Sequence, residues 1–390
     1  MSLMARTAVL LAVATLVSGC STMGEVFDKL NPLSSSVPTK IKPAELVSFQ
    51  PTVKLSTVWQ RSIGTSGEFT LTPAVVGDSV YVASNGGMLA RYDNGQEVWR
   101  VNVGQPIAGG VGADREVVAV GTSKGEVLAF NSADGKPKWK ARASSEVLAA
   151  PAVGDGLVIV RSGDSRIFGF DQADGKRRWV YQRTIPALSL RTNAGVLLAG
   201  KGLLVGFPGG KLVAISTTNG AALWEITIAQ PKGATELERV ADITSSPVLD
   251  IRHACAAAYQ GRVSCIDVNT GSTIWSRDVS SSAGIDIDSK AVYVSDDKGA
   301  VHAFDRFTGS SLWKQSALTN RGLSRPIAMG NHIAVGDAQG YIHILRRDDG
   351  AFAARMSTDG SAISAEPQAL ERGFVVQTRN GGVYSLSIEK

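Results

Sequence analysis

Residues 125–139 read GEVLAFNSADGKPKW and contain the pattern that determines the fold. The stretch opens with a short strand-like segment, Gly125 to Phe130, and reaches the pair Asp134-Gly135 four residues before Trp139. A polar residue followed by glycine between two strands is typical of a β-hairpin, because glycine adopts positive φ at little cost. The stretch therefore predicts a strand, a tight turn and a second strand that carries the tryptophan.

This unit recurs along the chain at a nearly constant interval. The seven tryptophans stand 38 to 51 residues apart, and the first four are spaced by 40. They are Trp59, Trp99, Trp139, Trp179, Trp224, Trp275 and Trp313. Six of them follow a polar-Gly pair by four residues, whereas a seventh pair, Asp349-Gly350, is followed by Ala354. A period of about 40 residues indicates a repeat architecture.

Each repeat contains four strand-like segments. The strand before the turn occurs eight times, at residues 89–92, 125–130, 166–170, 211–215, 262–266, 299–304, 340–345 and 383–386. A further strand precedes it, as at residues 79–83, and a short segment that begins at a proline such as Pro73 or Pro151 comes before that. Four strands in about 40 residues are typical of a propeller blade. We predict an all-β fold, an eight-bladed β-propeller of four-stranded blades, with seven blades as the alternative if one weak repeat is skipped.

The two ends of the chain predict how the ring closes. The segment around Trp59 reads as an outer strand with no inner strands before it, and residues 381–389 read as a third strand with none after it. We expect the N-terminal strand to complete the C-terminal blade, which removes exposed sheet edges. The regular spacing of the tryptophans favours packing between blades, with a binding stripe as the alternative.

The N-terminus reads as an export signal. Residues 7–17 are almost wholly apolar but too few to cross a bilayer as a helix. The signal ends at Leu16-Val17-Ser18-Gly19-Cys20, which resembles the bacterial lipobox and predicts a lipid on Cys20, the alternative being an ordinary signal peptide. By resemblance to lipoprotein sorting signals, Ser21 indicates the outer membrane. We predict a signal peptide at 1–20, a flexible Ser- and Pro-rich tether at 21–56 and the propeller at 57–390.

The remaining residues give little indication of catalysis. The net charge of +5 is spread along the chain, so we predict no nucleic-acid partner. His302 and His343 share one repeat position and could hold a metal, but a packing role is favoured because the other repeats have no ligand there. Metal-binding and phosphate-binding motifs are missing from the sequence, and we predict no catalytic residue, metal or cofactor.

Cys255 and Cys265 flank a turn at Gln260-Gly261. If the hairpin loop has an even length, residues ten apart face opposite sides of the ribbon, and no bridge can form. An odd loop or a bulge allows a disulfide. We favour two free, buried thiols and leave the disulfide as the alternative.

Two connections between blades are longer than the others. One follows Trp179 and contains Leu188, Leu190 and Arg191; the other follows Trp224 and contains Glu236, Arg239 and Asp242. Both join an outer strand to the next inner strand, so we expect them side by side on one face. Apolar residues ringed by charge predict a protein-binding patch. The alternative is that the leucines are tucked under the loop.

The repeats Asp-x-x-Thr-Gly-x-x-x-Trp resemble the quinoprotein (PQQ-type) propeller repeat. With the lipobox and eight blades, the chain resembles the BamB family, the propeller lipoproteins of the machinery that assembles outer-membrane β-barrels. The most specific local features are residues 186–191 and 235–242. The resemblance implies a non-enzymatic scaffold whose Leu188, Leu190, Arg191 and Asp242 contact the POTRA domains of BamA. It also implies a role with unfolded outer-membrane β-barrel proteins.

One position departs from the family pattern, which has a second acidic residue where this chain has Thr244. Two other function classes remain as alternatives. A PQQ-dependent dehydrogenase would be longer and would bring an adjacent cysteine pair and a calcium site. A ligand-binding envelope propeller would need aromatic residues in the loops of one rim, and these loops contain few.

Overall fold

The computed structural model describes residues 42–389, and within them the secondary structure consists of strands. The signal peptide, Cys20 and residues 21–41 of the predicted tether lie outside the described residues. The 32 strands form eight four-stranded antiparallel sheets. The prediction of an all-β, eight-bladed β-propeller is confirmed, and the alternative of seven blades is wrong.

The blades follow one another along the chain. The first four contain β2 (Ala74–Val76), β3 (Ser79–Ala83), β4 (Met88–Asp93), β5 (Gln96–Asn102); β6 (Val111–Ala113), β7 (Val117–Gly121), β8 (Glu126–Asn131), β9 (Pro137–Arg142); β10 (Ala152–Gly154), β11 (Leu157–Arg161), β12 (Ile167–Asp171), β13 (Arg177–Tyr181); and β14 (Val196–Ala199), β15 (Gly202–Phe207), β16 (Lys211–Ser216), β17 (Ala222–Thr227). The next three contain β18 (Val248–Leu249), β19 (His253–Ala257), β20 (Val263–Asp267), β21 (Thr273–Arg277); β22 (Gly284–Ile287), β23 (Ala291–Ser295), β24 (Val301–Asp305), β25 (Ser311–Gln315); and β26 (Ile327–Met329), β27 (His332–Gly336), β28 (Tyr341–Arg346), β29 (Phe352–Ser357). The eighth contains β30 (Gln368–Leu370), β31 (Gly373–Gln377), β32 (Gly382–Glu389) and, from the other end of the chain, β1 (Lys54–Ser62).

The first strand of each blade faces the axis of the ring, because first strands of neighbouring blades contact one another. The second and third strands carry the core. They are buried on both faces, whereas the fourth strand alternates between buried and exposed residues. Apolar side chains from adjacent blades share clusters, as where Tyr81 and Trp99 of the first blade pack with Val118 and Phe130 of the second. The core is therefore a ring of layers between blades.

Except for Trp224, the tryptophans pack against the turn glycine of the next blade, and five of them also donate a hydrogen bond to that blade. The indole nitrogen of Trp99 donates to the carbonyl oxygen of Ser132 at 2.9 Å, and that of Trp179 donates to Thr217 at 2.8 Å. The glycine of the next turn lies against the ring, so that a Cβ added at Gly135 would stand 2.8 Å from Trp99. The structure thus gives both halves of the repeat, glycine and tryptophan, a packing role.

The chain closes the ring as predicted. Strand β1 pairs antiparallel with β32 from Lys54↔Glu389 to Ser62↔Gly382. The propeller begins earlier than the predicted boundary at residue 57, however. Strand β1 starts at Lys54, and residues 43–53 lie against the seventh blade, where Thr52 N–H donates to Ala353 O at 2.9 Å. This part of the predicted tether is therefore part of the folded body.

The preference for free cysteines is wrong. Cys255 and Cys265 are directly opposite in the β19–β20 pair and form a disulfide. The physical reason is the length of the connection. Five residues, 258–262, separate the innermost pair Ala257↔Val263, and an odd number puts residues ten apart on the same face.

Candidate protein-binding face

Two connections on one face of the propeller are joined into a single unit. The first long loop is residues 182–195, between β13 and β14, and the second long loop is residues 228–247, between β17 and β18. Leu190 N–H donates to the Asp242 carboxylate at 2.7 Å, and the Thr192 hydroxyl donates to Thr244 O at 2.8 Å. The predicted adjacency of the two loops is confirmed.

Asp242 lies at the centre of this unit and is buried, with 3% of its surface exposed. One carboxylate oxygen accepts from Leu190 N–H and the other accepts from Gly209 N–H at 2.9 Å. Sequence reasoning placed Asp242 among the partner-contacting residues. In the structure its carboxylate instead holds the first long loop on the fourth blade.

Arg161, which the sequence analysis did not single out, supplies a cation near Asp242. Its side chain is buried at the end of β11, and one guanidinium nitrogen donates to Gly206 O at 2.8 Å. Burial lowers the pKa of Arg161 to about 10, and the charge of Asp242 partly opposes that shift. A single arginine at the end of a strand carries no sequence signal for this role.

The first long loop exposes apolar side chains at its tip. Leu188 and Leu190 are 40% and 37% exposed, so the alternative in which they are tucked under the loop is not what the structure shows. Arg191 beside them forms two hydrogen bonds of 2.8 Å with Glu146 of the neighbouring connection. This pairing lowers the pKa of the Glu146 carboxyl and raises the pKa of Arg191. The arginine is held in one orientation while half of its side chain remains exposed.

The second long loop carries a single helical turn at its tip. The Glu238 carboxylate accepts from Ala234 and Thr235 N–H at 2.8 and 3.1 Å, and Glu238 N–H donates to the Thr235 hydroxyl, a capping box. Glu236 and Arg239 are exposed and lie 3.5 Å apart, while Leu237 between them is 71% exposed. Sequence reasoning did not select Leu237, although an apolar residue among charges in a loop was the available signal.

The β19–β20 hairpin of the fifth blade packs against the second long loop. Tyr259 N–H donates to Asp242 O at 2.8 Å, and the alanines of β19 and the following turn pack on Ala229, Ala241 and Ile243 of the loop. The Cys255–Cys265 disulfide links the two strands of this same hairpin. The second long loop therefore packs on a hairpin whose two strands are joined by a disulfide.

The two repeat-related histidines are paired with aspartates. His302 Nε2 lies 2.8 Å from Asp296, and His343 Nε2 lies 2.9 Å from Asp337. Burial lowers the pKa of His343, which is fully enclosed. Within residues 42–389, no group of three or more His, Cys, Asp or Glu side chains could hold a metal ion. These contacts agree with a packing role for His302 and His343.

In the same described range no helix is long and apolar enough to span a membrane.

Comparisons with known proteins agree with this architecture. The family model described as outer membrane protein assembly factor BamB matches residues 85–315 and 297–390. Curated proteins of that name from Bordetella pertussis and Escherichia coli are 41% and 33% identical over 381 and 390 residues, covering 97% and 96% of this chain and 96% of each relative. The crystal structure of BamB from Moraxella catarrhalis superposes with a TM-score of 0.80 at 30% identity, covering 86% of this chain and all of that one.

A quinohemoprotein alcohol dehydrogenase from Comamonas testosteroni superposes with a TM-score of 0.69 at 14% identity, covering 85% of this chain and 76% of that one. At that identity the likeness shows the fold alone. Fold and repeat together define an eight-bladed propeller of the quinoprotein type, with two joined loops raised on one face. Within that class, the chain belongs to the BamB family of outer membrane protein assembly factors.

Proposed function

We propose that the chain is a non-enzymatic scaffold of the outer-membrane β-barrel assembly complex. A lipid on Cys20 would hold it at the outer membrane, facing the periplasm, and the two long loops would bind the POTRA domains of BamA. Unfolded outer-membrane β-barrel proteins are the proposed clients. Family membership supports the general role, since the relatives are named as assembly factors.

The main support for this binding site is that hydrogen bonds already join the two long loops in the chain alone. Five of the six predicted contact residues are exposed there: Leu188, Leu190, Arg191, Glu236 and Arg239. Hydrogen bonds to the buried Asp242 hold the backbone of the first loop, so little ordering entropy is lost on binding. Exposed leucines beside an oriented arginine are the kind of anchors that dominate protein interfaces. We assign Leu188, Leu190, Arg191, Glu236 and Arg239 to partner contact and Asp242 to positioning.

The test compares two double variants of the chain without residues 1–20. Leu190→Ala, Arg191→Ala removes an exposed aliphatic residue and an ion-paired arginine from the first long loop. Ile251→Ala, Arg252→Ala removes the same chemistry from the opposite face, where Ile251 is fully exposed and Arg252 pairs with Asp267 at 2.8 Å.

Titration against purified BamA POTRA domains should show saturable binding by the wild type. We expect at least a tenfold loss for the loop variant, about 1.4 kcal/mol or more, and a change of less than twofold for the control. Equal losses in both variants would contradict the assignment of this face. Absence of binding by the folded wild type would contradict the proposed partner.

A further inference from the structure

Residues 43–53, here called the strap, cross the outer side of the seventh blade before β1 begins. Ala44 N–H donates to Thr319 O at 2.9 Å, and Thr319 lies in the connection from β25 to β26. Further along, Thr52 N–H donates to Ala353 O at 2.9 Å, next to the hairpin turn that precedes β29. The strap therefore runs across the thickness of the propeller, from one face to the other.

Side chains on the fourth strand of the seventh blade contact the strap. Its fourth strand lacks the tryptophan and has Ala354 instead. Phe352 of that strand stacks on Phe49 of the strap with ring centroids 5.3 Å apart, and the Arg355 guanidinium lies 5.0 Å from both rings. An aromatic pair with a cation over it is a specific contact.

Two arginines bind carbonyl oxygens of the strap. Arg355 donates to Val47 O at 3.0 Å and Arg321 donates to Ala44 O at 2.8 Å. Both belong to a buried network, because Arg321 also donates to Asp337 at 2.7 Å and Arg355 donates to His343 at 3.1 Å. Since charge-assisted hydrogen bonds from fixed donors are strong, the strap is held at defined points.

The direction of the strap decides where the chain enters the propeller. Strand β1 starts at Lys54, opposite Glu389 at the end of β32, on the face opposite the long loops, where the third strand of each blade turns into the fourth. Ala44 lies at an outer-to-inner connection, and both long loops are connections of this kind. Docking of the strap therefore makes the chain enter the propeller on the face of the long loops. The point of entry lies two blades away from the second long loop. Docking also removes 11 residues, about 35–40 Å of extended chain, from the free tether.

We infer that the strap is an orienting device: it makes the membrane tether leave the propeller from the face that carries the two long loops. This inference rests on the lipid anchor of the proposed function. A partner bound at the loops then lies on the membrane side of the propeller. Without the strap, the tether would leave from the opposite face and the loops would point away from the membrane.

The test measures orientation on vesicles and needs no partner. The full-length acylated chain is bound to phospholipid vesicles that contain an acceptor lipid dye. A donor dye is placed either at Lys298→Cys, on the face of the long loops, or at Ser289→Cys, on the opposite face of the same blade; both positions are exposed. In the wild type we expect higher energy transfer from residue 298 than from residue 289.

Two replacements of equal length separate the strap from the rest of the tether. Gly/Ser residues in place of 43–51 remove Phe49 and leave β1 intact, whereas Gly/Ser residues in place of 25–33 leave the strap intact. We expect the first to reverse the order of the two transfers and the second to keep the wild-type order. The wild-type order in both variants would overturn the inference.

These experiments distinguish failure of the proposed function from failure of the inference about the strap. A chain that orients on vesicles but does not bind POTRA domains would contradict the partner and leave the orienting device supported. A chain that does not reach the vesicles would overturn the lipid anchor and the inference with it.

Discussion

At the scale of single residues, the structure divides the candidate face into side chains that can touch a partner and side chains that hold those in place. Glu236 is exposed at the tip of the second long loop, whereas Asp242 of the same loop is buried where the two loops meet. A sequence shows two acidic residues six positions apart and cannot rank them by burial. The carboxylate of Asp242 accepts N–H groups that come from two other segments of the chain, and that geometry exists only after folding.

The variant Asp242→Asn tests this division. The amide keeps the size of the side chain but has one acceptor oxygen, so either Leu190 or Gly209 N–H faces an NH₂ group. We expect a loss of about 1–3 kcal/mol in the free energy of unfolding and weaker binding to POTRA domains. Glu236→Gln should weaken binding and leave the urea midpoint unchanged. Unaltered stability of Asp242→Asn would count against the positioning role.

His343 gives the stability of the propeller a pH dependence. Burial lowers the pKa of His343 below the usual 6.5, so the unfolded chain takes up a proton that the folded chain does not. Stability is therefore present above the unfolded pKa and decreases as the pH falls below about 6.5, by at most about 1.4 kcal/mol per pH unit for one group. His332, whose pKa is also lowered by burial, adds a contribution of the same sign.

His343→Gln removes the titration and keeps the contacts, because an amide can donate to Asp337 and accept from Arg355. Urea unfolding at pH 7, 6 and 5 should show a smaller loss of stability with falling pH in this variant than in the wild type. His332→Gln serves as the comparison for the other histidine. Identical slopes in the wild type and His343→Gln would contradict the assignment.

At the scale of strands and turns, the repeat was predictable because its parts are local. A polar-Gly turn and a tryptophan four residues later specify a hairpin without reference to the rest of the fold. The hairpin length around Cys255 and Cys265 was not predictable, because turn signals at Gln260-Gly261 fit loops of several lengths. The strap was missed because residues 43–53 have no strand period and bind through backbone carbonyls.

The contact between turn glycine and tryptophan can be tested with a pair of matched glycines. Gly135 and Gly271 both have positive φ, 71° and 69°, so alanine is strained at either position. A Cβ at Gly135 would stand 2.8 Å from the Trp99 ring, whereas at Gly271 the nearest atom is 3.6 Å away. We expect Gly271→Ala to cost about 1 kcal/mol and Gly135→Ala at least about 1–2 kcal/mol more. Thermal unfolding measures both, and equal losses would show that the strain of the turn dominates.

The disulfide should stabilise the hairpin under the second long loop. Cys255→Ala, Cys265→Ala should lower the free energy of unfolding by about 2–4 kcal/mol, and a reducing agent should destabilise the wild type but not this variant. Hydrogen exchange should increase at residues 228–247, which pack on that hairpin. Thiol alkylation of the unfolded, non-reduced protein checks the bond directly, since two reactive thiols in residues 255–265 would contradict it.

At the scale of the whole molecule, the ring follows from the repeat and from its two incomplete ends. Each blade buries its apolar surface only against its neighbours, so an open ring would leave two blades half exposed. Strand β1 prevents this by pairing with β32, and its Trp59 packs near Tyr92 of the first blade with ring centroids 6.1 Å apart. Ends that complement each other were visible in the sequence, whereas the docking of residues 43–53 on the seventh blade was not.

Removal of β1 should therefore open the ring, and the effect can be separated from loss of the strap. A chain that starts at Ile63 lacks β1 and exposes the edge of β32, while a chain that starts at Lys54 lacks the strap and the residues before it but keeps β1. We expect the first to unfold at a clearly lower temperature and to self-associate through the free edge, because an unpaired strand is a template for pairing. We expect the second to remain monomeric and to bind POTRA domains like the wild type, because the described contacts of the long loops are with other blades and connections and not with the strap. Sedimentation velocity and thermal unfolding distinguish the two chains. A monomeric, equally stable chain starting at Ile63 would show that the ring holds without its N-terminal strand.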